Sequence, residues 1–409
     1  VTQIAIIGSA LSGNKGAAAM LESSIETLSA RIPDVRFVLF SMYPSEDSAL
    51  NTYPHVTIIP ATPAKLGVLI NSAALAYRIV PPLRPLLRRT SKSVRALRDS
   101  AVLLDQGGIT FTDGREKFLL YNIASILPAL NMKVPVFKCA QAVGPFEGRI
   151  NRWASRTFLP KVHTLVTRGA ITHQYAEKLG LTNLVAGADY AFSLPITDAD
   201  RESAAARVSP EFFAGNDVVG ISPSVVLQKK VDALGRDYIA DNVEIITRLL
   251  DEGTPVALIP HSVRLNTEST HNNDLPLCRE IARRVGQREG FLFVDGELTS
   301  QELRAVIGRC GRFVTSRFHA MISSLSMQVP TVVVGWSHKY REVLDMFELS
   351  EWAFGAAEFT PDHTLTELAR LSANETEVRE RLARNGQSVL AVSMQQADLI
   401  AAVATAPSR

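Results

Sequence analysis

Cysteine is scarce: Cys139, Cys278 and Cys310 stand far apart in 409 residues and lack metal-ligand spacing. That pattern excludes a disulfide framework and a cysteine zinc site, and it fits a reducing, cytoplasmic compartment. An excess of one charge is also missing. Lys and Arg number 43 against 41 Asp and Glu, a net +2, so no global field points to nucleic acid. An uninterrupted apolar span of about 20 residues is absent. The chain opens on the strand pattern "QIAIIG" rather than on a charged region followed by an apolar core, so neither secretion nor membrane spanning is expected. No repeat of solenoid period occurs. No compact His/Asp/Glu set implies a metal, and no further cofactor is expected. The dinucleotide fingerprint GxGxxG and the phosphate-loop ending GK[ST] are both missing.

What is present is a soluble globular composition, 46% hydrophobic and 21% charged, in a chain long enough for two domains. Short apolar runs alternate with helical patterns. The first half offers "IAIIG", "RFVLFS", "VTIIP", "SAVLLDQ", "VPVFKCA" and "TLVTR"; the second restarts with "DVVGIS", "PVALIP", "FLFVDG", "RFVTS" and "TVVVGW". Such alternation predicts α/β architecture with parallel, doubly wound sheets. The polar stretch "SLPITDADRESAAARVSPEFFAGND" reads as a linker. The expectation is two Rossmann-like domains, 1–195 and 216–375, facing a cleft, with a helix over 376–409 packing back on the first.

Parallel sheets bind ligands beyond the carboxyl ends of their strands, which turns the loops into a map. After the first strand, "GSALSGNKGA" supplies Gly13, Asn14 and Gly16, either as a ligand loop or as a strand–helix turn that needs glycine for packing. "DQGGITFTDGRE" supplies Gly107, Gly108 and Asp113, a sugar-hydroxyl candidate, while Asp105 reads as a buried structural carboxylate. Arg168 follows "TLVT", Ser222 ends "VVGIS", and His261 follows "ALIP". Arg317 and His319 stand where "RFVTS" gives way to a helical pattern, and Lys339 follows "TVVVGW" with His338 and Arg341 as alternatives. His271 lies in a polar loop. A cationic pair at a buried strand end requires either an internal carboxylate, such as Asp295, or an anionic ligand.

Taken in order, "SGNKGAAAM", "DQGGITFTD", "QAVGPF", "TRGAITHQYAEKLGL", "AGADYAF" and "SRFHAMISSLSMQVPTVVVGWSHKYREVLDMFEL" resemble the polysaccharide pyruvyl transferase family over nearly the whole chain. The "SRFHA" element is the most specific part. The resemblance implies a GT-B-like architecture and an enzyme that moves the enolpyruvyl unit of phosphoenolpyruvate onto sugar hydroxyls, building a pyruvate ketal on a glycan. Segment 61–98 and the loop "HSVRLNTESTHNND" depart from the pattern. Phosphoenolpyruvate puts a phosphate and a carboxylate on a small frame, so its site needs several cations, best with planar forks. Arg168, Arg317 and Lys339 are the cations expected to meet it. Ketal formation also needs a proton at the donor's methylene carbon, and His319 is the best-placed group to give and take protons near neutral pH.

Residues 64–98 carry eight Lys and Arg and no acid, interleaved with Leu, Ile, Val and Tyr. Two readings stand: an element lying on an anionic membrane surface, in which case the acceptor is lipid-linked, or core helices with a solvated basic face. Two other functions share the expected architecture. One is a GT-B glycosyltransferase using a nucleotide sugar, the other a non-catalytic carbohydrate-binding protein.

Overall fold

The structure, a computed structural model, describes residues 1–215, 217–265, 273–335 and 338–406. His271 and the side chain of His338 lie outside the described residues. The chain divides into two compact units. One comprises Val1–Ser12, Met20–Leu194 and Ala391–Arg409; the other comprises Gly13–Ala19 and Pro195–Leu390.

The first unit is built on β1 (Gln3–Ile7), β2 (Arg36–Ser41), β3 (Val56–Pro60), β4 (Ser100–Asp105), β5 (Val136–Gln141), β6 (Thr164–Thr167) and β7 (Leu184–Ala186). All seven run parallel in the order β3-β2-β1-β4-β5-β6-β7. Near-continuous burial along β1, β2, β4, β5 and β6 is what a parallel sheet covered on both faces requires. Strand side chains such as Ile7, Val38, Leu103 and Val136 share one core with Leu66, Ile126 and Ala154 from the helices.

The second unit holds β8 (Val219–Ser222), β9 (Val256–Leu258), β10 (Phe291–Phe293), β11 (Arg312–Thr315), β12 (Thr331–Val334) and β13 (Ala353–Phe354). Their order is β10-β9-β8-β11-β12-β13, again parallel. The strand order reverses between β8 and β11, and in such sheets the crevice at the reversal, beyond the carboxyl ends, is where ligands bind. Ser222 and Thr315 are register partners at that point.

The polar stretch expected to link the domains is instead folded. Thr197 and Asp200 form a reciprocal capping box that starts the helix Asp198–Arg207. That helix is fastened to its neighbour by Ser203 donating to Glu302 at 2.6 Å and by the Arg207–Glu302 pair at 3.1 Å. Its composition is that of a solvated helix face, not of a linker.

Candidate functional site

In the second unit, β11 delivers Arg317 and His319 to the sheet reversal. The backbone N–H of Ser316 donates to the Ser222 carbonyl at 3.3 Å, and that of Arg317 donates to Thr315 Oγ1 at 3.0 Å. Arg317 then takes the extended N-cap position of the helix Phe318–Ser326. Burial of Phe318, Met321, Ile322 and Leu325 fixes that helix. Ser316 is held from both sides, its hydroxyl bonded to Ser224 Oγ at 3.0 Å and its carbonyl accepting from Tyr340 Oη at 3.0 Å. Ser224 in turn caps the helix Val225–Asp232.

The internal carboxylate beside Arg317 is Asp274, which is fully buried. Asp274 Oδ1 accepts from the Arg317 guanidinium and from Val225 N at 3.1 Å, and Oδ2 accepts from Ser262 N at 3.0 Å. One carboxylate therefore ties together the arginine, a helix start and the loop after β9. Asp295, the partner expected from the sequence, pairs instead with exposed Arg279 at 2.8 Å. Even with Asp274 in place, Arg317 Nε and the Ser222 hydroxyl are buried and meet no hydrogen-bond partner among the described protein atoms. Buried polar groups without partners are uncommon and call for an explanation.

The glycine loop belongs to the same unit. Asn14 Oδ1 accepts from Gly16 N at 3.0 Å, Asn14 bridges to Ser262, and Gly13 accepts from Val263 N at 3.2 Å. Gly13 has φ +73°, and a β-carbon there would stand 2.6 Å from the Arg264 guanidinium. A β-carbon on Gly16 would lie 2.0 Å from His319 Nδ1, so only glycine lets the imidazole lie against this backbone. Between them Lys15, buried, pairs with Glu297 at 2.6 Å.

His261 is buried beside these groups. Burial first, then the positive fields of His319, Arg317, Arg304 and Lys15, push its pKa well below the ordinary histidine value. Both causes favour its neutral imidazole. Arg304, on the helix Ser300–Ile307, is also buried. Lys339 lies with its ammonium over the Phe318 ring, 4.8 Å from the centroid. Gly13, Asn14, Gly16, Ser222, His261, Arg317, His319 and Lys339 are thus all placed around one end of the β8–β11 sheet. The sequence reading missed Lys15, Arg304 and Asp274. Lys15 stood in plain sight between the loop glycines, and Arg304 is buried within "SQELRAVI".

The remaining candidates belong to the first unit. Arg168 is buried, donates Nε to the Ala140 carbonyl at 2.8 Å and pairs with Asp189 at 3.2 Å. Gly108 permits close approach of that guanidinium, since a β-carbon there would sit 2.7 Å from it. Gly107 N donates to Asp105, whose other oxygen pairs with buried Lys138 at 2.5 Å. Asp105 is the structural carboxylate that its position suggests. Asp113 stands apart from this group: its oxygens accept from Glu147 N at 2.5 Å, Gly148 N at 3.2 Å and Asn151 Nδ2 at 2.7 Å. It serves the start of the helix Arg149–Phe158, which accounts for its place without a sugar contact.

Two doubly wound parallel sheets, one carrying a buried cluster of arginine, lysine and histidine at its strand-order reversal, define a GT-B-like α/β protein. Solved structures of similar fold are 11% identical to this chain. They include a UDP-N-acetylglucosamine 2-epimerase from Listeria monocytogenes described as putative (TM-score 0.63, covering 100% of this chain and 98% of that one) and S. aureus MnaA with UDP (TM-score 0.62, 98% and 96%). A family model for polysaccharide pyruvyl transferases matches residues 14–338, and the chain belongs to that family. A relative over nearly full length is the amylovoran biosynthesis protein AmsJ of Erwinia amylovora, 23% identical over 406 residues, covering 93% of this chain and 95% of that protein. The protein is accordingly a transferase enzyme of polysaccharide synthesis. Among the described residues no helix is long and apolar enough to cross a membrane.

Proposed function

We propose that this protein transfers the pyruvyl unit of phosphoenolpyruvate to two hydroxyls of a glycan sugar, forming a cyclic ketal and releasing inorganic phosphate. The observation that carries this reading is that two buried polar groups at the sheet reversal, Arg317 Nε and the Ser222 hydroxyl, meet no hydrogen-bond partner among the described protein atoms. A small ligand with two anionic groups satisfies such donors, and Lys15, Arg304 and Lys339 add positive charge around them. In this reading Arg317 holds an anionic end of the donor. His319 delivers a proton to the methylene carbon, and the oxocarbenium-like centre is attacked by one sugar hydroxyl. Phosphate departs with its electron pair and the second hydroxyl closes the ketal. The two hydroxyl protons balance the methyl hydrogen gained and the proton carried off by phosphate.

The experiment measures phosphate release from phosphoenolpyruvate across a panel of pyranoside acceptors, with the ketal methyl group detected by NMR, and repeats it with nucleotide sugars as donors. His319→Gln is expected to cut turnover by on the order of 10²–10⁴ while donor binding changes less. Transfer from a nucleotide sugar with no use of phosphoenolpyruvate would overturn the proposal. Unchanged turnover in the glutamine variant would reject the proton-transfer role alone.

A further inference from the structure

Residues 65–98 fold as a chain of short helices on the first unit, and their side chains sort cleanly. Leu66, Ile70, Ala74, Val94, Ala96 and Leu97 enter the core. On the outside remain Val68 (64% exposed), Leu69 (64%), Leu75, Ile79 (63%), Leu83 and Leu86 (55%), large apolar side chains that no neighbour covers. Val68, Leu75 and Ile79 recur at helical spacing along Lys65–Ile70 and Asn71–Ile79, opposite the buried stripe. The surface is fixed from below, since Asn71 Nδ2 donates to the Ala124 carbonyl at 3.1 Å and Arg78 to Asn131 at 3.1 Å. The exposure therefore belongs to the folded unit and not to a loose strand of chain.

All eight basic side chains of the segment, from Lys65 to Arg98, are exposed too. None of them forms an ion pair among the described residues. Elsewhere most surface arginines of this protein are paired with carboxylates, as Arg283 and Arg284 are with Glu280. A surface that keeps its cations unpaired and sets aliphatic side chains among them is complementary to anionic headgroups over hydrocarbon. Nucleic acid fits less well, because stacking platforms are lacking: Tyr77 is the only aromatic residue between 64 and 98. The buried stripe lies in the core, as the core-helix reading expects, and the outer face is open.

We propose that the outer face of residues 65–90 docks the protein on an anionic lipid bilayer, with Val68, Leu69, Ile79 and Leu86 entering the headgroup boundary and the arginines engaging phosphates. This partner is independent of the donor chemistry proposed above. The purified full chain is sedimented with vesicles of phosphatidylcholine alone or mixed with phosphatidylglycerol, at low and high salt. Binding is expected to the mixed vesicles only, falling as salt screens the attraction. Arg88→Glu with Arg89→Glu should weaken it by more than tenfold, at about fivefold per basic side chain removed. Leu69→Ser with Leu86→Ser should lower it severalfold at constant charge. These positions are exposed, and unchanged melting curves would show that the variants fold. Equal binding to both vesicle types, or none to either, overturns the proposal. So does concentration-dependent self-association in sedimentation velocity that the serine variants abolish, or salt-sensitive RNA binding in place of vesicle binding.

Discussion

Replacing Gly16 by alanine tests whether the loop glycine exists to seat the His319 ring. The added β-carbon would lie 2.0 Å from His319 Nδ1, 2.1 Å from Cγ and 2.6 Å from Cβ. Ordinary contact between such atoms is about 3.5 Å, so the imidazole must retreat by about 1.5 Å. The atoms met are at the root of the side chain, where rotation gives little relief. Two effects oppose each other in stability. Alanine favours the helix Lys15–Ser29 by about 1 kcal/mol over glycine, while overpacking costs about 1–3 kcal/mol. The expected net loss is therefore about 0–2 kcal/mol, read as a fall of a few degrees in Tm at most. Catalysis is more sensitive, because a misplacement of about 1 Å can cost on the order of 10²-fold in rate. The assay is phosphate release from phosphoenolpyruvate at saturating donor, with melting curves recorded in parallel. His319→Ala removes the two closest contacts but keeps the 2.6 Å approach to Cβ, so in that background the Gly16→Ala stability penalty should shrink without vanishing. Wild-type turnover and Tm in Gly16→Ala, or the same penalty with and without the ring, would refute the reasoning.

Asp274→Asn should destabilise the protein by about 3–5 kcal/mol, because it leaves the Arg317 guanidinium buried without its counter-charge; inorganic phosphate should then raise the Tm of the variant more than that of the wild type, and equal shifts would contradict this. His261 titrates below its ordinary value in the folded protein, burial being the largest cause. The unfolded chain therefore takes up this proton first as pH falls, and the stability tied to His261 is present above about pH 6.5 and lost below it, at up to about 1.4 kcal/mol per pH unit. Urea midpoints from pH 7.5 down to 5.5 should fall less steeply in His261→Gln than in the wild type; parallel slopes would exclude His261 as their source.

The sheets were legible because their strands are compact, largely apolar runs: β12 "TVVV" is buried at each position, and such a run bounded by turn residues has little else to become. The strands missed, β7 "LVA" and β13 "AF", are three and two residues long, too short to show any period. The helix Asp198–Arg207 went unread because it carries no large apolar side chain to show a period, although Thr197 and Asp200 carry a capping signal at the expected spacing. Arg317 and His319 could be singled out because charge at a strand end demands a partner. Which partner was not readable: Asp274 and Asp295 are both acids near that region of sequence, and only the fold brings Asp274, 43 residues away, to the guanidinium. Asp113 poses the opposite difficulty. A loop carboxylate beyond a glycine pair looks like a ligand contact, yet the helix that starts 36 residues later uses it.

The rims of the two sheets set terms for how copies of this chain can meet. Among the described residues the outermost strands are β3, β7, β10 and β13. β7 and β10 run three residues each and β13 two, while β3 ends on Pro60, which has no N–H to offer. Another extended chain laid along β7, β10 or β13 would find room for one or two main-chain bonds before the template ended. Cross-β growth from those three edges of the native state has little template to extend.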